Sequence, residues 1–195
     1  MIVYKATKKE FVIDAKTGVI GEKVYNEFQK RIGRTGENEQ TSWNNSLRRM
    51  AHVIDTPVVP DQSSVCVEYK LPNQHSRIDF LIAGKDKNGK NNVVIVELKQ
   101  WSEAEALIEK DLVRTTLGGG KREVVHPSYQ AWSYAITLKE YNETIQKDNI
   151  LLFPCAYMHN YVAFDGDKII DPACYTEISE APIFTKIHRK EVATF

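Results

Sequence analysis

Two apolar segments joined by a short polar turn constrain the fold of this chain more than any other feature. Residues 77–84 read RIDFLIAG and residues 91–100 read NNVVIVELKQ, and both are rich in residues that favour β-strands. They predict an antiparallel hairpin. The second segment is apolar on both faces over most of its length, which is typical of a strand in the middle of a sheet. Three charged residues interrupt this apolar pair: Asp79, Glu97 and Lys99.

The turn between the strands decides which of these residues face each other. A two-residue turn would pair Asp79 with Leu98, and Asp79 would then lie on the other face from Glu97. A three-residue loop over residues 87–89 pairs Asp79 directly with Glu97. We predict the three-residue loop, because Gly89 suits the bulge position that requires a positive φ.

Two carboxylates that face each other on a buried strand pair repel each other, so a cation is needed to offset their charge. Mg²⁺ binds through one or two carboxylates together with water and substrate phosphates. Lys99 shares the face of Glu97 and would balance the charge of a phosphate or help to activate an attacking water. The alternative is a solvent-facing strand pair with ordinary surface charges.

The remaining patterns predict an α/β domain, with helices flanking a central mixed sheet. Helical spacing of apolar residues predicts three helices, over residues 21–34, over residues 37–55 and from Pro127 or Ser128 onwards. Two further apolar runs predict strands, over residues 64–72 and 149–161.

Three other segments carry weaker signals. Ser102, followed by Glu105, resembles a capping box and predicts a helix over residues 102–113. Residues 114–125 contain three glycines and predict a flexible loop or a loose hairpin. Residues 164–171 predict a turn and a short strand.

The composition narrows the class of protein. A chain of 195 residues predicts a single domain, covering residues 1–195. Its 26 basic and 26 acidic residues cancel, which argues against a basic coat for nucleic acid but leaves a local basic groove open. The three cysteines form no CxxC motif, so a disulfide framework or a zinc knuckle is not expected. Without a signal peptide or a membrane-spanning run, we expect a cytoplasmic protein with no membrane partner.

The array Asp79…Glu97-Leu98-Lys99 resembles the signature of the PD-(D/E)xK nuclease superfamily. In that superfamily a strand hairpin carries the Asp and the ExK motif, and helices flank a mixed sheet with a restriction-endonuclease-like core. Ile78 stands where the literal motif has Pro, a residue that is often absent in this superfamily.

Gln130 and Tyr134 resemble the QxxxY motif of the RecB-like branch, and in element order the resemblance covers residues from about 37 to 161. The segments RIDFLIAGKD, VVIVELKQW and HPSYQAWSYA resemble the N-terminal region of bacterial proteins that carry a Schlafen-like DNA/RNA helicase domain downstream. The segment LGGGKRE lacks the spacing of a P-loop, so the resemblance is to the nuclease-like portion alone. The chain is then a stand-alone version or the N-terminal part of a larger helicase-containing protein.

The resemblance implies a Mg²⁺- or Mn²⁺-dependent nuclease that hydrolyses phosphodiester bonds of DNA or RNA. It makes Asp79 and Glu97 metal ligands, with the Leu98 carbonyl as a third and Glu39, on the early helix, as a further acidic ligand. Lys99 would position or activate the attacking water. The alternative implied by the same fold is a catalytically idle module that binds nucleic acid or docks a helicase. A third interpretation is an interaction domain with no nucleic-acid role, which Asp79 and Glu97 on opposite faces of the sheet would favour.

The resemblance also gives Gln130 and Tyr134 a place lining the catalytic site, although the same spacing fits a helix edge where Tyr covers the core and Gln faces solvent. Lys121 and Arg122 follow the three glycines and would grip phosphate, or else form a solvated loop tip.

Four further residues are interpreted as structural. His126 precedes a proline and fits a cap or turn, with a role on the leaving group or phosphate as the alternative. His159 lies in an apolar strand and fits a core or hydrogen-bonded position. Arg48 and Arg49 lie beside the apolar stripe of the early helix and are expected to face solvent.

Overall fold

A computed structural model describes residues 1–71, 76–108 and 111–195 of the chain. Its centre is a six-stranded mixed sheet, in which the first four strands are antiparallel neighbours and the last two run parallel to the fourth. In spatial order these strands are β1 (Ile2–Thr7), β2 (Ser64–Lys70), β3 (Arg77–Lys85), β4 (Asn91–Lys99), β8 (Leu151–Met158) and β9 (Ile183–Thr185). A separate three-stranded sheet contains β5 (Glu105–Ala106), β6 (Leu112–Leu117) and β7 (Gly120–Val125). The predicted α/β class and the central position of β4 are confirmed.

Helices cover both faces of the large sheet. One face packs against α1 (Lys8–Lys16), α2 (Ile20–Arg31), α3 (Glu37–Ile54) and the short α6 (Arg189–Thr194). The other face packs against α4 (Pro127–Tyr141) and α5 (Glu143–Lys147). Each face therefore has its own apolar core, and the ends of the strands lie between the two helical layers. Among the helices in these described ranges, none combines the length and the apolar character that crossing a membrane requires.

The sequence of α3 explains which face of that helix is buried, and the sequence of α4 explains where that helix begins. In α3 the predicted stripe from Trp43 through Leu47 to Ile54 is buried, and each such side chain is worth roughly 1.5–3 kcal/mol of transfer free energy. Helix α4 begins at Pro127, and the side chain of His126 accepts a hydrogen bond from the backbone N–H of Ser128. The interpretation of His126 as a cap is confirmed.

The hairpin between β3 and β4 has the predicted register. Phe80 lies opposite Val96 and Lys85 lies opposite Asn91. The loop that joins them spans three residues, and Gly89 adopts a φ of 76°, in the left-handed region. If this register continued by one more pair, Asp79 would lie opposite Glu97.

The predicted helix over residues 102–113 is wrong. The described residues of this segment contribute β5 and the start of β6 instead. Val113 is fully buried in a cluster that contains Trp101, and the Thr115 hydroxyl donates a hydrogen bond to the carbonyl of Glu103. Burial of β-branched side chains in this sheet outweighs the helix signal of Ser102 and Glu105.

Two neighbouring predictions have different outcomes. Residues 114–125 form the hairpin alternative, with β6 and β7 paired through Leu117 and Gly120. The short strand predicted within residues 164–171 is wrong, since the segment forms a single turn of 3₁₀-helix, Lys168–Ile170. The reason is local, because the Asp167 carboxylate accepts the N–H of Ile169 at 3.0 Å and caps that turn.

Candidate active site

Strands β3 and β4 separate at the end where the charged residues lie. Their ladder ends at Phe80 and Val96, and the next residue of β3 is Asp79. One carboxylate oxygen of Asp79 accepts the backbone N–H of Leu98 at 2.8 Å. The predicted direct pairing of Asp79 with Glu97 is therefore wrong, because the ladder ends one residue earlier and the Asp79 carboxylate lies in the gap between the strands. The alternation breaks here: Ile78 packs in the core on the α4 side, whereas Phe80 packs in the core on the α1–α3 side.

Glu97 is the most buried acid of the site, with 1% of its surface exposed. Its Oε1 accepts a hydrogen bond from Lys99 Nζ at 2.6 Å. Its Oε2 is also buried and has no hydrogen-bond partner within the described residues. Burial, together with the neighbouring charge of Asp79, raises the pKa of Glu97 to about 8. A buried oxygen without a partner is costly, and it calls for an explanation in terms of function.

Lys99 connects Glu97 to helix α4. Its Nζ donates to Gln130 Oε1 at 3.1 Å, and Gln130 Nε2 donates to the Tyr134 hydroxyl at 2.6 Å. The ammonium also lies 5.4 Å from the centre of the Trp101 ring, within range of a cation–π contact. Although burial alone would lower it, the pKa of Lys99 is raised by the carboxylates of Glu97 and Asp79, so the side chain stays charged. The structure therefore brings the predicted ExK and QxxxY residues into one chain of hydrogen bonds.

A third carboxylate, which the sequence reasoning missed, lies on the other side of Asp79. Glu68 is in β2, between the residues paired with Phe80 and Ile78, and is 5% exposed. Its oxygens accept hydrogen bonds from Trp43 Nε1 at 2.7 Å and from Arg77 Nε at 2.5 Å. Burial and the charge of Asp79 raise its pKa to about 7. The sequence did carry a signal for it, because SVCVEYK places a carboxylate inside an apolar strand as VVIVELK does.

Glu39, predicted as a further metal ligand, lies close to this group. Its carboxylate accepts hydrogen bonds from Arg77, at 2.9 Å, and from the Thr35 hydroxyl. Glu39, Glu68 and Asp79 line one cavity of about 170 Å³ against α3. Arg77 thus bridges Glu39 and Glu68, and its guanidinium neutralises part of their charge.

Lys121 and Arg122 line neither the cavity beside Asp79 nor the groove beside Lys99. Both side chains are exposed on β7, and Lys121 Nζ lies 3.8 Å from Glu105 Oε2. The β6–β7 hairpin nevertheless borders the site, because Val124 and Val125 form one wall of a groove of about 600 Å³. Its other wall belongs to α4, and the groove reaches Lys99, Gln130 and Tyr134.

The donor atoms around Asp79 and Glu97 fit a hard divalent cation. Glu97 offers an unpartnered oxygen and Asp79 a second carboxylate. The N–H and C=O of one residue point to the same side of a strand, so the Leu98 carbonyl lies on the side of Asp79. Within residues 1–71, 76–108 and 111–195, no three His, Cys, Asp or Glu side chains form a ready metal cluster. Two carboxylates and a carbonyl are a smaller set, of the kind that Mg²⁺ completes with water.

No family model, curated protein or solved structure matches this chain. The residues of the site are therefore the basis for inferring what it does.

Proposed function

We propose that this chain is a Mg²⁺- or Mn²⁺-dependent nuclease that hydrolyses phosphodiester bonds of DNA or RNA on a restriction-endonuclease-like core. The observation that carries the proposal is the buried, unpartnered Oε2 of Glu97, beside Asp79 and two residues from a half-buried, charged Lys99. A buried carboxyl oxygen without a hydrogen-bond partner destabilises a fold, and a strongly raised carboxyl pKa is typical of functional sites, so both features point to chemistry at this position.

The order of the elements supports the same proposal. One hairpin, β3–β4, carries Asp79, Glu97 and Lys99. Strands β4 and β8 run parallel, and α4, which carries Gln130 and Tyr134, lies in the connection between them. This is the order that the resemblance to the PD-(D/E)xK superfamily requires.

Asp79, Glu97 and the Leu98 carbonyl would hold the ion, and the hydrogen bond from the Leu98 N–H fixes the Asp79 carboxylate for that role. When bound, the ion would supply Lewis-acid stabilisation of a phosphate oxygen and a lowered pKa for an attacking water. Arg77 offsets the negative charge of Glu68 and Glu39, which would otherwise add to the repulsion at Asp79.

Lys99 would orient the attacking water and offset charge on the phosphate as the phosphorus–oxygen bond breaks. Its ammonium is held by Glu97 on one side and by Gln130 on the other. Tyr134 fixes the amide of Gln130, because its hydroxyl accepts from Nε2 and leaves Oε1 directed at Lys99. Gln130 and Tyr134 are thus positioning residues in this mechanism.

The test is calorimetry of Mg²⁺ and Mn²⁺ binding, run beside cleavage of DNA and RNA oligonucleotides. An isosteric double variant, Asp79→Asn with Glu97→Gln, is expected to lose both metal binding and cleavage. A control double variant, Glu22→Gln with Glu140→Gln, removes two exposed carboxylates and is expected to keep both. No metal binding by the wild type, even with nucleic acid present, would refute the proposal.

A second candidate is the idle module that binds nucleic acid or docks a helicase domain. It is favoured by the ion pair between Lys99 and Glu97 Oε1, which neutralises that oxygen without a metal. The same assays separate the two candidates. Nucleic-acid binding by the wild type, with no cleavage in either Mg²⁺ or Mn²⁺, would support the idle module.

A further inference from the structure

Helix α3 presents a polar stripe next to the end of β4 that carries Glu97 and Lys99. Its residues recur at positions i, i+3, i+4 and i+7, which places them on one face of the helix. They line one side of a cavity of about 420 Å³, and the residues just after β4 and β8 line the other. The lining residues are Asn45, Arg48, Arg49 and His52 from α3, with Gln100, His159 and Asn160 opposite.

Among the described residues that line this cavity, the charged and titratable side chains are two arginines and two histidines, with no acid among them. Arg48 and Arg49 are exposed, as the sequence predicted. Neither forms an ion pair with an acid anywhere in the described part of the chain. Arg34, Arg122 and Arg189 form none there either, but they do not line this cavity. Two guanidiniums without counter-charge at one cavity favour an anion, and their fork geometry suits a phosphate.

The opposite wall is held in place by hydrogen bonds. His159 is 2% exposed, and its ring nitrogens lie 3.0 Å from Ser46 Oγ and 3.2 Å from Asn160 Oδ1. The amide of Asn160 donates to the Gln100 carbonyl at 3.0 Å, and the amide of Gln100 donates to the carbonyl of Ser42. This wall therefore presents a fixed polar surface to the two arginines.

The cavity adjoins the proposed catalytic group. Gln100 directly follows Lys99, about 3.8 Å away along the backbone, and the N–H of His159 donates to the Lys99 carbonyl. Side chains alternate here, so Lys99 contacts α4 while Gln100 contacts α3. The groove beside β7 lies on the α4 side and the arginine cavity on the α3 side. A nucleic-acid strand that runs from this groove across Lys99 would therefore reach the cavity of Arg48 and Arg49 next.

We propose that this cavity binds a phosphate group of the nucleic-acid strand, adjacent to the phosphate that is cleaved; the inference rests on the proposed nuclease function. Phosphate contacts of this kind set the register of a strand in a site without reading its sequence. The cavity then holds the strand on the α3 side of the scissile bond. Arg48 and Arg49 supply the charge that the chain as a whole, with its balanced composition, does not.

The experiment measures binding of fluorescent oligonucleotides without terminal phosphates, in EDTA, over a range of salt concentrations. In the Arg48→Gln, Arg49→Gln double variant we expect about tenfold weaker binding, with the slope of log K against log salt reduced by about 0.7 for each lost contact to a single strand. The control, Lys85→Gln with Lys87→Gln, removes two exposed cations at the far end of the β3–β4 hairpin and should change neither quantity.

Two additional arms identify the source of the phosphate. The first repeats the titration with a 5′-phosphorylated oligonucleotide, and the second competes the oligonucleotide with inorganic phosphate. A loss in the arginine variant for both oligonucleotides indicates an internal phosphate, and a loss for the phosphorylated one alone indicates the strand terminus; either supports the proposal. The proposal would be overturned if the arginine variant bound the oligonucleotides as well as the control variant does. It would also be overturned if the arginine substitutions weakened the binding of inorganic phosphate alone.

A single charge reversal, Arg49→Glu, provides a second variant and should weaken binding more than Arg49→Gln does. Calorimetry with Mg²⁺ separates this inference from the proposed function. If the wild type binds metal and cleaves, but the arginine variant binds oligonucleotide normally, the cavity is not a phosphate site and the nuclease proposal stands. If the wild type neither binds metal nor cleaves, the nuclease proposal fails whatever the arginines bind.

Discussion

The cap of helix α4 should make the stability of this protein depend on pH. The His126 ring is fully buried, stacked on Tyr175 with centroids 4.1 Å apart. Its Nδ1 accepts the N–H of Ser128, and its Nε2 lies 2.9 Å from the carbonyl of Ile169. Only the neutral ring can satisfy both contacts, because a protonated Nδ1 would point a hydrogen at the Ser128 N–H. Burial accordingly lowers the pKa of His126 from 6.5 to about 4.

The sign of the effect follows from the proton count. Between pH 6.5 and pH 4 the unfolded chain binds a proton at His126 and the folded chain does not, so the free energy of unfolding falls as the pH falls. One pKa unit corresponds to about 1.4 kcal/mol, so the full loss is roughly 3 kcal/mol, of which about 2.5 kcal/mol is reached by pH 4.5. Above pH 7 the contribution is constant.

The measurement is urea unfolding at pH 7.5 and pH 4.5, for the wild type and for His126→Asn. Asparagine keeps a side-chain acceptor at the cap but does not titrate. Other groups titrate in both proteins, so the wild type should lose about 2.5 kcal/mol more than the variant between the two pH values. Equal losses would show that His126 is not held neutral by its surroundings, and the reasoning would be wrong.

Three further predictions concern the metal, the lysine and the turn. Mg²⁺ at 100 times its Kd should raise the free energy of unfolding of the wild type by about 2.7 kcal/mol, seen by calorimetric melting, and should leave Asp79→Asn, Glu97→Gln unchanged. Lys99→Met should slow cleavage by about 10²–10⁴-fold while calorimetry still detects metal binding; unchanged cleavage would remove Lys99 from the mechanism. Gly89→Ala should destabilise the protein by about 1–2 kcal/mol in urea unfolding, because an alanine is strained at a φ of 76°, although no atom of the described residues lies within 4 Å of its added Cβ. Gly120→Ala, equally open but without a positive φ, is the control, and equal costs at the two glycines would contradict the explanation.

The parts of the fold that follow from local chemistry could be predicted from the sequence. The register of the β3–β4 hairpin depends on a glycine at one position of the loop, and the turn chemistry of Gly89 specifies it. The start of α4 depends on His126 and Pro127, which cap and initiate the helix from its own sequence. The apolar stripe of α3 similarly indicated its buried face before any partner was known.

The parts that depend on distant contacts could not be predicted. Residues 102–113 have helical composition, and their strands form because Val113 finds a core built from segments far away in the chain. The role of Glu68 depends on Trp43 and Arg77, which reach it from α3 and β3. The separation of β3 from β4 at Asp79 has no local sign either, since an unbroken ladder would satisfy the same alternation.

The position of β4 in the large sheet has a consequence for where the molecule opens. This strand is hydrogen-bonded to β3 along one edge and to β8 along the other, and both of its faces are covered by helices. Backbone amides in such a strand are expected to exchange with deuterium only when the whole domain unfolds. Strand β7, by contrast, pairs with β6 along one edge, and as an edge strand its other backbone groups are expected to exchange through small local openings. Glu97 and Lys99 directly follow the part of β4 that is paired on both edges, and they remain paired with β8. They are thus anchored beside the last segment to open, while the wall of the groove that faces Lys99 belongs to a segment that can open separately.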